Sequence, residues 1–298
     1  MKRILTALVL IPLVLLAVFK APSWLFTLLV GAVALLALKE YLDLVEAYGV
    51  KPIRWLTYAC AMIPFLLTAS MSSYVFYRQS IQIKESVSAV IAVLVMCWAF
   101  LFLVAAMRCE ELKTAFPSAA MSGFGPFYIA IPMLAVALLQ QRSWYPLIFT
   151  FFAVWAGDIV AMYTGKAIGK HKMSPRISPN KTWEGALGSV VGSVIACSAL
   201  THFAPAIQHL LHGNLPPYPA DLGADLAPPL LGGRLIFVFA ILLNIAAQLG
   251  DLVESLIKRG ANVKDSGTML PGHGGILDRI DALLFAAPVA LVLFEFIR

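Results

Sequence analysis

Charged residues are scarce in this chain. Asp, Glu, Lys and Arg make up 13% of its 298 residues, whereas 60% are hydrophobic. Soluble domains usually carry about 25% charged residues, so an ordinary water-soluble fold is excluded. A mean hydropathy of +0.85 and repeated long apolar runs predict a polytopic membrane protein. The net charge of +6 therefore does not indicate nucleic-acid binding, because in such proteins the side on which Lys and Arg lie is what matters.

Several familiar motifs are absent as well. The four cysteines (Cys60, Cys97, Cys109 and Cys197) have no CxxC spacing, so no disulfide or zinc framework is indicated. The pattern Gly-x-x-x-x-Gly-Lys-Ser/Thr does not occur, which excludes a Walker phosphate-binding loop. No Ala-x-Ala-like cleavage site follows the apolar run at 4–19. We therefore interpret this run as a first spanning helix rather than a signal peptide.

Long apolar segments recur along the whole chain. A membrane span takes roughly 17 to 25 apolar residues, and nine segments approach or reach that length. They lie at about 4–19, 22–38, 55–72, 87–107, 121–140, 144–165, 184–204, 234–257 and 276–297. The sequence thus predicts an all-α bundle of nine transmembrane helices in one integral membrane domain, 1–298. Residues 1–118 would form scaffold spans and 119–298 would carry the functional site.

Basic residues are distributed unevenly between the two sides of this bundle. With the N-terminus inside, sixteen of the 22 Lys and Arg fall on the inner side and six on the outer side. The positive-inside rule then predicts a cytoplasmic N-terminus and an external C-terminus. The expected location is the plasma (inner) membrane. The connection at 39–54 is predicted to extend the second helix and to serve as scaffold. The polar stretch 251–281 falls on the cytoplasmic side.

Carboxylates occur where the chain is otherwise apolar. Asp158 lies well inside the sixth segment, Asp251 and Glu254 lie near the inner end of the eighth, and Asp281 begins the ninth. A charge at membrane depth costs ~2.5 to 3.5 kcal/mol on insertion scales, which favours a functional interpretation. The structural alternative is that each carboxylate pairs with a Lys or Arg and only holds helices together.

Helical spacing brings some of these groups onto common faces. Four polar residues share one face of the eighth segment, because they are spaced at i, i+3, i+4 and i+7. They are Asp251, Glu254, Ser255 and Lys258. Asp278 and Asp281 are three residues apart at the start of the ninth. Carboxylates from these neighbouring helices can converge on a cation. Hard oxygen ligands of this kind suit Mg²⁺ that is shared with substrate phosphates.

Features that favour phosphate binding lie between the acids. Positive charge comes from Lys258, Arg259 and Lys264. Backbone amides can approach an anion at Gly272, Gly274 and Gly275, in a loop that leads into the last helix. A glycine-rich turn alone is weak evidence. Combined with carboxylates and bases within 31 residues, it predicts a metal-and-phosphate site at 251–281.

A second polar island is Ser-Pro-Asn-Lys-Thr-Trp-Glu-Gly at 178–185. In one interpretation Asn180 or Thr182 caps the seventh helix, and Glu184 lies in its first turn. In the other, Lys181 and its neighbours bind a nucleotide triphosphate or an acidic lipid headgroup. Both interpretations are compatible with the residue types.

The two islands resemble the signature of the phosphatidate cytidylyltransferases, or CDP-diacylglycerol synthases. The matching residues are Ser255-x-x-Lys258-Arg259, Lys264-Asp265, Pro271-Gly-His-Gly-Gly-x-Leu-Asp278-Arg-x-Asp281 and Ser178-Pro-x-Lys181-Thr-Trp-Glu184-Gly. The informative part of the resemblance covers roughly 155–281. One departure lies in the sixth segment, where such proteins often read Asp-Thr/Ser-Gly-Ala-Tyr and this chain reads Asp158-Ile-Val-Ala-Met-Tyr163.

The resemblance implies an enzyme of phospholipid biosynthesis that converts CTP and phosphatidate to CDP-diacylglycerol and pyrophosphate. It implies catalytic roles for Asp251, Asp278, Asp281 and Lys258, with the three aspartates as Mg²⁺ ligands. The implied substrate-binding residues are Ser178, Lys181, Thr182, Glu184, Ser255, Arg259, Lys264, Asp265, His273, Gly274, Gly275, Arg279 and Asp158. A second cation, including a monovalent one, is compatible with this site. The implied partners are CTP, phosphatidate in the bilayer and membrane lipid, without nucleic acid, and a homodimer is suggested by the resemblance alone.

Two other functions stay open. A CTP-dependent lipid-alcohol kinase would use similar groups but would release CDP. An ion-coupled transporter also places Asp residues in the membrane, although no clear inverted repeat or matching pair of broken helices occurs here. The pattern Asp-Gly-x-x-Ala-Arg is absent, which argues against a CDP-alcohol phosphotransferase.

Overall fold

The computed structural model describes residues 12–71, 98, 100–109, 111–212, 232–269 and 274–296, and this part of the chain is mostly helical. The helices are α1 (Ser23–Ala47), α2 (Arg54–Met71), α3 (Leu112–Gly125), α4 (Ile131–Arg142), α5 (Trp144–Ile168), α6 (Trp183–His212), α7 (Gly233–Gly260) and α8 (Leu277–Glu295). A π-helical turn, Pro126–Ala130, joins α3 to α4. Two strands, β1 (Lys172–Ser174) and β2 (Ser178–Thr182), form an antiparallel hairpin between α5 and α6.

Five helical segments of the described chain are long and apolar enough to cross a membrane. They are Ser23–Ala47, Leu112–Arg142, Trp144–Ile168, Trp183–Leu210 and Gly233–Gly260. A membrane protein is therefore consistent with the structure. The last helix, α8, has 19 residues, and Asp278, Arg279 and Asp281 lie in or next to its first turn. The total of nine spans and the orientation of the termini stay predictions, since the first and fourth predicted segments lie partly outside the described residues.

Most helix positions agree with the sequence-based segments to within a few residues. Helix α1 continues to Ala47, which confirms the predicted extension into 39–54. The helix predicted at 121–140 begins earlier, at Leu112. The all-α prediction was incomplete, because the polar residues between α5 and α6 form the β1–β2 hairpin. Its strands have only three and five residues, too few for a recognisable alternation of apolar and polar side chains.

Backbone contacts divide the chain into two compact units. Unit 1 comprises Met1–Leu134 and Gly260–Arg279, and unit 2 comprises Ala135–Arg259 and Ile280–Arg298. The predicted division at 118/119 into scaffold and catalytic spans stays a prediction. Each unit has its own packed interior.

In unit 1, helix α1 packs against α2, α3 and the π-helical turn. Leu38 and Leu42 of α1 and Phe65 of α2 are fully buried. Polar side chains bind backbone carbonyls of neighbouring segments, as the Tyr41 hydroxyl does by donating to the Met121 carbonyl of α3 at 2.9 Å. Likewise the Ser118 hydroxyl donates to the Lys51 carbonyl at 2.6 Å. These bonds satisfy groups that would be costly to bury unpaired.

In unit 2, glycines let α5 and α6 approach each other closely. A Cβ atom at Gly188 would overlap the Thr164 side chain, and one at Gly192 would overlap Val160. A Cβ at Gly185 would lie 3.1 Å from the Ala161 carbonyl oxygen. Small residues are typical of helix contacts within membranes, where close van der Waals packing replaces the hydrophobic effect.

A buried amide links α6 and α7 beside this contact. Asn244 is 1% exposed, and its Nδ2 donates to the hydroxyls of Ser189 at 2.8 Å and Ser193 at 2.7 Å. Its Oδ1 accepts from Gln248 Nε2 at 2.6 Å. Each polar group thus has a partner, which is required where no water is present. Gly157 of α5 packs directly on this network, and it is the residue before Asp158.

We predict that Gly157→Ala destabilises the protein by about 1–3 kcal/mol, the usual cost of overpacking an interior. The added methyl group would overlap Asn244 Nδ2 and would lie 2.7 Å from Ser193 Oγ. Thermal unfolding in detergent measures the effect as a lower midpoint. Gly233→Ala is the matched control, because a Cβ there meets nothing within 4 Å. Equal midpoints for the two variants would contradict the tight contact.

Candidate functional site

The two polar islands of the sequence meet in unit 2. Lys181 Nζ, at the end of β2, lies 2.6 Å from Asp251 Oδ2 on α7. The side chains are 24% and 37% exposed, so the ion pair is accessible from outside the bundle. Ser255 lies one turn further along α7, and its hydroxyl is 3.4 Å from the other Asp251 oxygen. The ion pair thus joins 178–184 to 251–255. The sequence alone did not decide whether these two segments meet.

Two further carboxylates lie within electrostatic range of this pair. Asp158 of α5 interacts with both Asp251 and Lys181. Asp281 of α8 interacts with Asp251, Lys258 and Asp158. We call these five residues, Asp158, Lys181, Asp251, Lys258 and Asp281, the acid–base cluster. It combines three acids with two bases in a largely apolar chain.

A glycine makes the approach of α7 to α8 possible beside the cluster. A Cβ at Gly250 would lie 2.5 Å from the carbonyl oxygen of Asp281 and 3.2 Å from the Cα of Ala282. The two helices therefore touch through their backbones immediately before Asp251. Val154, Ala247, Ala282 and Ala286 form a small buried contact around this point.

Lys258 is held by a buried partner on its own helix. It forms an ion pair with Glu254, four residues earlier, and the Glu254 side chain is 0% exposed. This confirms that Glu254 and Lys258 share a face of α7, as their spacing predicted. Arg259 next to it donates from Nε to the Ile177 carbonyl of the hairpin at 3.3 Å.

In the second island the structure assigns different roles to neighbouring residues. Thr182 Oγ1 accepts a hydrogen bond from the Gly185 amide at 3.2 Å, and so caps α6. The Glu184 carboxylate accepts from the Lys170 and His171 amides, and one of its oxygens lies 2.6 Å from His171 Nδ1. The capping interpretation thus describes these two residues, whereas Lys181 extends to Asp251. Ser178 pairs with Ser174 in the hairpin.

In unit 1, the Asp278 carboxylate closes the loop before α8. Its Oδ2 accepts hydrogen bonds from the Ser266 amide at 2.9 Å and the Gly275 amide at 2.8 Å. Gly274 has φ +81°, in the left-handed region that favours glycine, and a Cβ there would lie 2.7 Å from the same oxygen. Asp278 is therefore engaged with the backbone of this loop.

Glu40 of α1 holds the same loop, and the sequence-based interpretation missed it. Its Oε2 accepts from the Ser266 hydroxyl and the Leu277 amide, each at 2.9 Å, and its Oε1 accepts from the Ile276 amide at 3.0 Å. The residue is 3% exposed. The connection 39–54 was predicted to be scaffold only, and that prediction overlooked this contact. A signal for burial was present, because Ala37 and Leu44, three residues before and four after Glu40, indicate an apolar helix face.

The backbone amides at the start of α8 bind carboxylates of the protein itself. The sequence predicted that backbone amides at Gly272, Gly274 and Gly275 can approach an anion, and of these the Gly275 amide is the one with a described partner. In the structure the anions that the amides of Gly275, Ile276 and Leu277 bind are the protein's own Asp278 and Glu40 carboxylates. Gly275 permits this contact, since a Cβ there would overlap both Ser266 Oγ and Glu40 Oε2.

The remaining predicted residues have less defined surroundings. Lys264, Asp265 and Arg279 are exposed in unit 1. His273 and Gly272 lie outside the described residues. The roles proposed for these residues in substrate binding stay predictions.

The carboxylates of the cluster could bind Mg²⁺ only together with substrate oxygens, which would complete the coordination of the ion. Among the described residues, no three His, Cys, Asp or Glu side chains form a group that could hold a metal ion. The predicted three-aspartate site therefore stays a prediction. Mg²⁺ prefers hard oxygens and commonly takes one or two carboxylates plus waters and substrate phosphates. Asp251 and Asp281 supply two such carboxylates, so the donor chemistry of the cluster fits Mg²⁺.

Together, these observations describe a helical protein of membrane type with an acid–base cluster suited to phosphate chemistry. Comparison with known proteins identifies the group. The model of the cytidylyltransferase family matches residues 1–297, nearly the whole chain. The chain belongs to the cytidylyltransferase family.

Individual relatives carry a more specific name. A phosphatidate cytidylyltransferase of Haemophilus influenzae is 29% identical over 320 residues, 99% of each chain. One of Staphylococcus epidermidis is 32% identical over 260 residues, 87% of this chain and 86% of that protein. One of Brucella abortus is 39% identical over 166 residues, so that the match spans about half of its length, 53%, and 55% of this chain.

Proposed function

We propose that this protein is a phosphatidate cytidylyltransferase, which makes CDP-diacylglycerol and pyrophosphate from CTP and phosphatidate. The observation that carries the proposal is the acid–base cluster, in which Lys181 and Asp251 lie 2.6 Å apart in a chain that matches the cytidylyltransferase family. The names of the relatives support the choice of phosphatidate as the lipid substrate.

The chemistry requires two polyanions to meet. An oxygen of the phosphatidate phosphate attacks the α-phosphorus of CTP, and the bond from that phosphorus to the bridging oxygen of the β-phosphate breaks. Pyrophosphate takes the electron pair and leaves. No protein nucleophile is needed, so the protein acts by positioning the reactants and neutralising their charge.

The Lys181–Asp251 ion pair suits such a site in its substrate-free state. Each side chain neutralises the other until the nucleotide arrives. On binding, Lys181 exchanges its carboxylate partner for a phosphate of CTP, and Asp251 becomes available to a cation. Lys258 stays in place because its buried partner Glu254 belongs to the same helix.

Asp251 and Asp281 would hold Mg²⁺. When bound, this ion supplies neutralisation of the charge on the triphosphate and on the departing pyrophosphate. Asp158 contributes further negative potential beside the two ligands, compatible with a second cation. Ser255 keeps the Asp251 carboxylate oriented through its hydroxyl.

The proposal includes an inner-membrane location with the cluster at the cytoplasmic face. Apolar helices long enough to span a bilayer and the membership of the family support a membrane setting. The distribution of Lys and Arg supports the cytoplasmic side for the cluster. CTP would enter from the cytosol, and phosphatidate would enter from the bilayer.

Purified protein in detergent micelles containing phosphatidate, incubated with CTP and Mg²⁺, tests the proposal. Pyrophosphate release should depend on phosphatidate, on CTP and on Mg²⁺. Release of CDP instead would identify a lipid-alcohol kinase. No product from folded protein would overturn the proposed activity.

We predict that Lys181→Gln raises the KM for CTP by about 10- to 100-fold, the effect of losing one charge-assisted hydrogen bond to a phosphate. The KM for phosphatidate should change less. Lys172→Gln is the matched control, because Lys172 is an exposed lysine of the paired strand β1. An unchanged KM for CTP in the Lys181 variant would exclude the phosphate contact.

A further inference from the structure

Glu40 is a buried carboxylate from one end of the chain that binds a segment near the other end. Its three hydrogen-bond donors, the Ser266 hydroxyl and the Ile276 and Leu277 amides, lie 226 to 237 residues away in sequence. With 3% of its surface exposed, Glu40 cannot exchange these partners for bulk water. A charge buried in this way is costly unless every oxygen is paired, and here both are.

The loop around the Glu40 carboxylate has glycines at the two positions where a side chain would collide with it. A Cβ at Gly267 would lie 2.5 Å from Glu40 Oε1, and one at Gly275 would overlap Glu40 Oε2. Glycines therefore flank the carboxylate on two sides, and no other residue type fits without displacing it. Glu40 and Asp278 together occupy the amides of Gly275, Ile276 and Leu277.

The Glu40 contact holds the beginning of α8, the helix that carries Asp281. Leu277 is the first residue of α8 and Ile276 directly precedes it, and Asp281 lies four residues after Leu277, one turn further along the same helix. The first amides of a helix have no partner within it, and Glu40 supplies one from α1. The negative charge is also favourable there, because the N-terminal end of a helix carries partial positive charge.

We infer that Glu40 is a positioning residue for the cytidylyl transfer: through Ser266, Ile276 and Leu277 it fixes the start of α8 and so the orientation of Asp281. Glu40 does not touch the reacting groups. This inference rests on the proposed function for its effect on turnover, whereas the anchor itself can be tested without turnover.

Two variants separate anchoring from overall stability. Glu40→Gln keeps the shape of the side chain but turns one oxygen into a donor, which then faces an amide N–H. Ser266→Ala removes only one of the three donors and should have a smaller effect in the same direction. Glu46→Gln is the control, because Glu46 is an exposed glutamate of the same helix that pairs with Arg54.

Hydrogen–deuterium exchange tests the anchor, and steady-state kinetics tests its role. In Glu40→Gln the amides of Ile276 and Leu277 should exchange at least ~10-fold faster, because their buried partner is lost. The same variant should lower kcat by about 10- to 100-fold and raise the Mg²⁺ concentration for half-maximal rate, with the KM for phosphatidate unchanged. Combined with Ser266→Ala, its effect on kcat should be less than additive.

Three outcomes would overturn the inference: unchanged exchange at 276–277, faster exchange with unchanged kcat and Mg²⁺ requirement, or equal effects of Glu46→Gln and Glu40→Gln. If the unaltered protein releases no pyrophosphate, the proposed function fails by itself. The exchange comparison then still decides whether Glu40 anchors the loop, because it does not depend on turnover.

Discussion

Asp281→Asn is expected to lower the rate of pyrophosphate release by about 10³-fold, since a metal ligand contributes several kcal/mol to stabilising the transition state. The substitution keeps the volume of the side chain and removes its charge. Asp281 lies at the start of α8 and interacts electrostatically with Asp251, Asp158 and Lys258. An amide in its place binds Mg²⁺ poorly and no longer balances Lys258.

The same variant should remain folded. Asp281 interacts with two other carboxylates, Asp251 and Asp158, so removal of its charge relieves a repulsion that offsets the lost attraction to Lys258. We expect a thermal midpoint in detergent that is unchanged or higher. Asp43→Asn provides the control, because Asp43 is an exposed aspartate whose carboxylate pairs with Arg54. Activity of Asp281→Asn close to that of Asp43→Asn would remove Asp281 from the catalytic site.

Gly250→Ala is expected to have the second largest effect, on both activity and stability. A methyl group at this position would lie 2.5 Å from the Asp281 carbonyl oxygen, which is backbone and cannot rotate away. Helices α7 and α8 must therefore separate, and Asp251 moves relative to Asp281. A displacement of about 1 Å in such a site can cost about 10²-fold in rate. The overpacking should also cost about 1–3 kcal/mol of stability.

Parallel measurements of kcat and thermal midpoint check this prediction. Gly233→Ala on the same helix is the control, because a Cβ there meets nothing within 4 Å and alanine favours helix. A Gly250→Ala enzyme with full activity would contradict the close contact between α7 and α8. Lost activity with an unchanged midpoint would still agree with a displaced Asp251.

Sequence reasoning located much of the fold because apolar length is a strong signal. The ends of helices α5, α7 and α8 were predicted to within a few residues. The helix face shared by Asp251 and Lys258 was predicted from their spacing. These features depend on local periodicity, which a sequence displays directly. The ion pair between Lys181 and Asp251 joins residues 70 positions apart, so spacing alone could suggest the two islands but not their contact.

The partners of Glu40 could not be predicted for the same reason. They lie more than 200 residues away, and the charges at Lys39, Asp43 and Glu46 obscured the burial that the apolar neighbours of Glu40 indicate. The glycine loop was recognised, but the identity of its anion was not. A loop that can cradle a phosphate can equally cradle a carboxylate, and only tertiary structure distinguishes the two.

The most direct test of the central claim is transfer of label from CTP in proteoliposomes that contain phosphatidate and Mg²⁺. The α-phosphorus and the γ-phosphorus of CTP are labelled in separate reactions. The account predicts that the α-label enters the lipid fraction as CDP-diacylglycerol and that the γ-label appears in pyrophosphate, with both transfers lost in Asp281→Asn. Entry of the γ-label into lipid, or no transfer of either label by folded protein, would contradict it.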